Sequence, residues 1–97
     1  MSNIVEARLF WISKEDGGRE SIVIGDNLKY CPIISFDDCP LEKKYSSKIT
    51  KSILKGELIT DVELTYLVDS APFENLQSNK KFKLYEGNML VAKGVIL

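Results

Sequence analysis

The sequence predicts an all-β protein: a closed antiparallel barrel of six strands, folded as a single domain over residues 1–97. Three observations point that way. Apolar and polar residues alternate with period two over residues 4–12 and again over Leu58 to Val68, as strands with one covered face require. The dipeptide Gly87-Asn88 separates two apolar-rich runs near the end of the chain and reads as a hairpin turn whose central residues need positive φ. On the second arm of that hairpin, Ala92 and Gly94 stand one strand-step apart, and two small side chains there suit a tightly curved sheet approached by another backbone.

In chain order, Val5, Ala7, Leu9 and Trp11 share one face of the first strand, with Glu6 and Arg8 on the other. Residues 13–19, Ser-Lys-Glu-Asp-Gly-Gly-Arg, form a polar turn. Ile22-Val23-Ile24 is a short apolar run ended by Gly25-Asp26-Asn27. Tyr30 to Phe36 is β-rich, and Pro32, which donates no ladder hydrogen bond, places it at an edge or a bulge. The 37–56 segment has two readings. Leu41, Tyr45, Ile49 and Ile53 recur every four residues, which permits one short helix starting at Pro40 and stopping at Gly56. Ser46, Ser47, Thr50 and Ser52 are weak helix formers, which favours a loop with a short strand instead. After Leu58 to Val68, Asp69 to Pro72 breaks the pattern. The closing hairpin over 82–97 is then expected to meet the first strand and seal the barrel.

A hydrophobic fraction of 44% with 28% charged residues excludes a disordered chain, and 97 residues do not build two cores. A formal charge of −1 gives no general attraction to phosphate backbones or anionic lipid. Two cysteines, Cys31 and Cys39, make no disulfide scaffold and suit free thiols in a reducing compartment. Residues 1–6 lack the basic and apolar regions of a signal peptide, and no apolar run nears the ~20 residues of a membrane span. The expectation is a cytoplasmic protein with no membrane contact.

Two segments together resemble a known family. The first is residues 5–19, Val-Glu-Ala-Arg-Leu-Phe-Trp-Ile-Ser-Lys-Glu-Asp-Gly-Gly-Arg, followed by Tyr30-Cys31-Pro32. The second is residues 82–96, with Glu86-Gly87 and Val91-Ala92-Lys93-Gly94-Val95. Both resemble the C-terminal β-barrel domain, the third domain, of translation elongation factor Tu. The resemblance implies a stand-alone copy of that barrel, since no Gly-x-x-x-x-Gly-Lys-Ser/Thr of a GTPase domain occurs. Gly56-Glu57 stands where the family carries a Pro-Gly-Asp element. In the family the domain helps to hold aminoacyl-tRNA and packs on the GTPase domain. Three features tied to RNA handling are replaced here: Glu20-Ser21-Ile22 follows the Gly-Gly-Arg turn, Cys31 stands for an arginine, and Asn88-Met89 follows Glu-Gly. Glu20 repels a phosphate, and Cys31 and Met89 cannot hydrogen-bond one as arginine does.

The absence of histidine excludes the serine triad and imidazole acid–base chemistry. No Cys/His cluster matches a zinc site, so no metal, no cofactor and no enzymatic activity are expected. Cys31 reads as a structural thiol beside Pro32. Asp37-Asp38 and Glu15-Asp16 read as solvated turn acids rather than paired catalytic carboxylates. The Gly17-Gly18-Arg19 turn could cradle an anion or simply need glycine geometry. Trp11, Tyr66 and Phe82 read as core rather than as base-stacking platforms.

One feature favours a partner. Phe10 and Ile12 share a face with Ile4, opposite the core set, while Met89, Val91, Val95 and Leu97 face one way and Leu90 and Ile96 the other. A barrel has one inside, so some of these residues need cover from the 37–56 segment, a second copy of the chain or another protein. The candidates for partner binding are Gly17, Gly18, Arg19, Phe10, Met89 and Val91. The function expected is a non-enzymatic interaction module that mimics the elongation factor domain toward a protein partner, or that pairs as a homodimer. Two alternatives stay open: an RNA or tRNA binder using the Lys43–Lys55 segment through Lys44, Lys48, Lys51 and Lys55, or a small bacterial antitoxin or immunity protein.

Overall fold

Period-two alternation passes directly into backbone in strand β4 (Ile59–Tyr66), where Thr60, Val62, Leu64 and Tyr66 are buried and the residues between them are half-exposed. The computed structural model describes residues 4–38, 44–67 and 76–97. Before β4 come β1 (Val5–Trp11), a single 3-10 turn at Lys14–Asp16, β2 (Ile33–Phe36) and β3 (Tyr45–Gly56), and after it β5 (Lys81–Glu86) and β6 (Met89–Ile96). The strands close into an antiparallel barrel in the order β1-β4-β3-β2-β5-β6, with β6 returning to β1. The first and last strands meet as predicted, from Ala7 opposite Ile96 to Trp11 opposite Ala92.

Inward side chains fill the barrel. Ala7, Leu9, Ile34, Phe36, Ile49, Leu64, Phe82, Leu84 and Ile96 are all buried, and the Phe36 and Phe82 rings pack at 5.8 Å with a 60° tilt. A barrel of this size holds side chains rather than a ligand. Trp11, Tyr66 and Phe82 are core residues, as expected. In the interior Trp11 Nε1 donates to Thr60 Oγ1 at 2.9 Å. Thr60→Val keeps the shape and orphans that buried N–H, so it should lower unfolding stability by about 1–3 kcal/mol, read from a urea titration.

Gly94 confirms the small-residue reading but not its cause. What comes close is not another backbone: a Cβ there would lie 2.4 Å from Cζ of Phe82 and 2.8 Å from Cδ2 of Leu9. In the turn, Gly87 has φ +60 and Asn88 does not join it in the left-handed region, so one central residue needs positive φ, not two.

The short helix in 37–56 is not present among the described residues; Tyr45–Gly56 is the longest strand. Serines and threonines sit well in a half-buried pleat, and Ser47 and Ser52 point inward. A bulge at Thr50 explains the misleading four-residue spacing, because Ile49 faces the core and Ile53, beyond the extra residue, faces outward. Pro40 and Leu41 lie outside the described residues.

The Ile22–Ile24 run is not a strand. Ile22 and Val23 pack on the core while the chain from Gly25 to Tyr30 lies along β3. This stretch substitutes for the short β2, which pairs with β3 only through Ile33 and Ile34. Gly25 N bonds Ser52 O at 3.0 Å, Leu28 N bonds Thr50 O at 2.9 Å and Ile49 N bonds Tyr30 O at 2.7 Å, so the long strand keeps no bare edge there. Pro32 precedes β2, and its carbonyl accepts from Ser47.

A second bulge corrects Val91. Leu84 pairs with Ala92 but Tyr85 pairs with Leu90, which leaves Val91 as an extra residue in β6. It turns inward beside Ala92 and is fully buried, so it belongs to the core and not to a docking surface.

Candidate functional site

The Gly-Gly-Arg turn is built to hold the mouth of the barrel. Ser13 caps the 3-10 turn by accepting from Asp16 N, and Gly17 ends it at φ +91, a left-handed conformation that favours glycine. The N–H of Gly17 bonds Lys14 O at 3.1 Å and that of Gly18 bonds Ser13 O at 2.9 Å. Both donors that would cradle an anion are therefore used within the turn.

Arg19 is engaged as well. Its Nη1 pairs with the Glu86 carboxylate, its Nε donates to Ser21 O at 3.0 Å, and its guanidinium lies 5.3 Å from the centre of the Tyr30 ring. Tyr30 donates its hydroxyl to the same Glu86 oxygen, and its ring lies 6.1 Å from that of Trp11. Burial, reinforced by the bond to Glu86, pushes the Tyr30 phenol well above the ordinary tyrosine value. Glu86 thus fastens the 13–30 loop to the β5–β6 hairpin.

The acidic dipeptides do not form paired carboxylates. Asp37 pairs with Lys83 at 3.0 Å and Asp38 with Lys80, while Asp16 accepts from Ser13. Cys31 is exposed and in no disulfide; Cys39 lies outside the described residues.

The lysines from 44 to 55 are spread along β3 and the residue before it, and are interleaved with acids. Lys44 lies 5.2 Å over the Tyr85 ring, and Lys48 stands opposite Thr65. Lys51 is 4.0 Å from Asp26 and opposite Glu63. Lys51 and Lys55 line a shallow groove of about 170 Å³ with Glu6, Ile53, Asp61 and Glu63. Lys43 lies outside the described residues. Carboxylates this close weaken a phosphate-binding stripe.

Asp61 also pairs with Arg8, whose Nε stands 2.7 Å from its Oδ1. The hydrogen bond from Arg8 holds the Asp61 carboxyl below the usual carboxylate range, and the charges of Arg8 and Lys55 act in the same direction. A depressed folded pKa stabilises the fold above the unfolded value and is lost as pH falls through the folded value. Acidification from about pH 5 to about pH 3 should therefore lower the urea midpoint more in the natural protein than in Asp61→Asn.

Several large apolar side chains of the strands and their ends remain uncovered. Phe10 is 45% exposed and stands between Ile59 on β4 and Lys93 on β6. Ile53 and Leu54 are exposed on β3, Met89 at the start of β6, and Ile4 and Leu97 toward the other end. Ile12 is half-buried. The next register step beside Phe10 carries Lys81, Val95, Arg8 and Asp61 across β5, β6, β1 and β4. Phe10 and Met89 thus stay at the surface as expected. The basic residues beside Phe10 are not neighbours in the sequence. Lys81 and Lys83 do alternate with Phe82 and Leu84, but only the register brings Lys93 and Phe10 alongside them.

No helix among the described residues is long and apolar enough to cross a membrane. No protein-family model matches the chain, and no curated protein matches it.

Proposed function

We propose that this chain is a non-enzymatic interaction module: a barrel whose interior is filled for stability and whose outer face binds a protein partner. The observation that carries the reading is Phe10, a large aromatic half-exposed on a regular strand beside Ile59, with Ile53 further round the same face. Aromatic side chains held at the surface by a rigid sheet are the usual anchors of protein interfaces. The resemblance to the elongation factor barrel supports mimicry in the cytoplasm, with the partner a protein that docks on that factor or on its other domains.

The test compares tagged natural protein with Phe10→Glu in a bacterial lysate and in sedimentation. A protein enriched by the natural chain and reduced at least tenfold by Phe10→Glu supports the reading, as does a dimer that the variant dissociates. Recovery of background alone from a monomer, or equal recovery by both chains, overturns it. The RNA reading has weaker support, because Lys51 and Lys55 sit among Asp26, Asp61 and Glu63. Retardation of tRNA that Lys48→Glu with Lys51→Glu abolishes would restore it.

A further inference from the structure

Positive charge on the β5–β6–β1 face is only partly neutralised. Lys83 and Lys93 stand directly opposite each other across β5 and β6, a like-charge pairing that disfavours the sheet. Asp37 takes Lys83 at 3.0 Å, and Asp61 takes Arg8 at 2.7 Å. Among the described residues, the side chains of Lys81 and Lys93 make no ion pair or hydrogen bond. Both are exposed, and Lys93 is the cross-strand neighbour of the half-exposed Phe10. Val95 lies between Lys81 and Arg8 in the adjoining register step.

From this arrangement we propose that the face centred on Phe10 docks a short acidic segment of a protein partner, with an apolar side chain set against Phe10 and Val95 and two carboxylates taken by Lys81 and Lys93. The inference rests on the interaction-module reading and adds the chemistry of its ligand. Strand geometry sets the spacing. Lys81 and Lys93 are one strand and one two-residue step apart, roughly 8 Å between their Cβ atoms, which suits acidic residues at i and i+2 of an extended segment about 7 Å apart. The same geometry disfavours a nucleic acid. Two free lysines neutralise about two phosphates, too few for firm binding at physiological salt. A continuing phosphate chain would also run toward Glu6 and Glu63, which face each other across β1 and β4 one step beyond Arg8 and Asp61. A peptide ends its charge where the patch ends.

The experiment selects binders to the intact 97-residue chain from a display library of random twelve-residue peptides, then measures the best of them and oligouridylate by titration. The proposal predicts enrichment of two or more Asp or Glu residues around a Phe, Trp or Leu. It also predicts amide shifts over residues 8–11, 81–83 and 92–95, and affinity weakened at least tenfold by Lys81→Glu with Lys93→Glu. Both lysines are exposed, and a cooperative urea transition with a midpoint no lower than that of the natural chain shows that the double variant is folded. Neutral or basic binders, no enrichment, shifts elsewhere, indifference to the charge reversal, or tighter binding of oligouridylate each overturn the proposal. A cellular partner lost on Phe10→Glu but retained by the lysine variant overturns this inference alone and leaves the interaction module standing.

Discussion

Gly94→Val is expected to prevent folding of the barrel, and Gly94→Ala to remove about 3 kcal/mol of its stability. Gly94 on β6 lies between Leu9 on β1 and Phe82 on β5. An added Cβ would meet Cζ of Phe82 at 2.4 Å, Cε1 at 2.6 Å and Cδ2 of Leu9 at 2.8 Å. Neither side chain has anywhere to go. Both are almost fully buried, and Phe82 is backed by Phe36 at 5.8 Å. Overpacking of a close-packed interior forces side chains off their rotamers and strands apart, and here the strands concerned are those that close the cylinder. A domain of this size has about 5–15 kcal/mol in total, so the alanine variant should show a much lower urea midpoint and the valine variant no cooperative transition. A midpoint unchanged in Gly94→Ala would mean that the ring and the strand are not packed as described.

Gly18→Ala is expected to be the second most damaging single change, at about 2–3 kcal/mol. Its added Cβ would fall 2.0 Å from the carbonyl oxygen of Ile12, a backbone atom with no rotamer to change. Ile12 is held in turn by its N–H on Val91 O at 2.8 Å. The turn must therefore open, and Arg19 then leaves Glu86 and the Tyr30 ring. Because Tyr30 lies 6.1 Å from Trp11, tryptophan fluorescence and near-ultraviolet dichroism should change along with the midpoint. The opposite outcome, full stability with loss of partner binding, would turn the Gly17-Gly18-Arg19 element back into a binding site.

The strands that alternate without interruption were legible in the sequence, because a period of two needs only local residues. Val5 to Trp11 and the Gly87-Asn88 hairpin are of this kind, as is the expected Leu58–Val68 run, of which Ile59–Tyr66 is strand while Leu58 stands in the preceding turn at φ +62. The 45–56 strand was not. Four-residue spacing is compatible with both a strand and a helix turn, and the bulge at Thr50 removes the steady alternation that would separate them. The same device hid Val91, whose place in the core depends on a register shift against Leu84 and Tyr85. For the candidate site, Phe10 was visible as an aromatic on the wrong face of its own strand. The lysines beside it were not, since Lys81 and Lys93 become neighbours only when β5 pairs with β6. The basic run along the chain is at residues 44–55 instead, where the folded sheet supplies acidic neighbours.

Closure of β1 on β6 is the claim from which the filled interior and the outer face both follow. The direct measurement is a nuclear Overhauser and amide-exchange analysis of the labelled chain. Cross-strand contacts from Ala7–Ile96 to Trp11–Ala92 are expected, with slow exchange of the Ile12 and Leu97 amides that bond Val91 O and Glu6 O. Absence of those contacts, with Ile12 and Leu97 exchanging as freely as an open strand edge, would contradict the barrel and the face assigned to it.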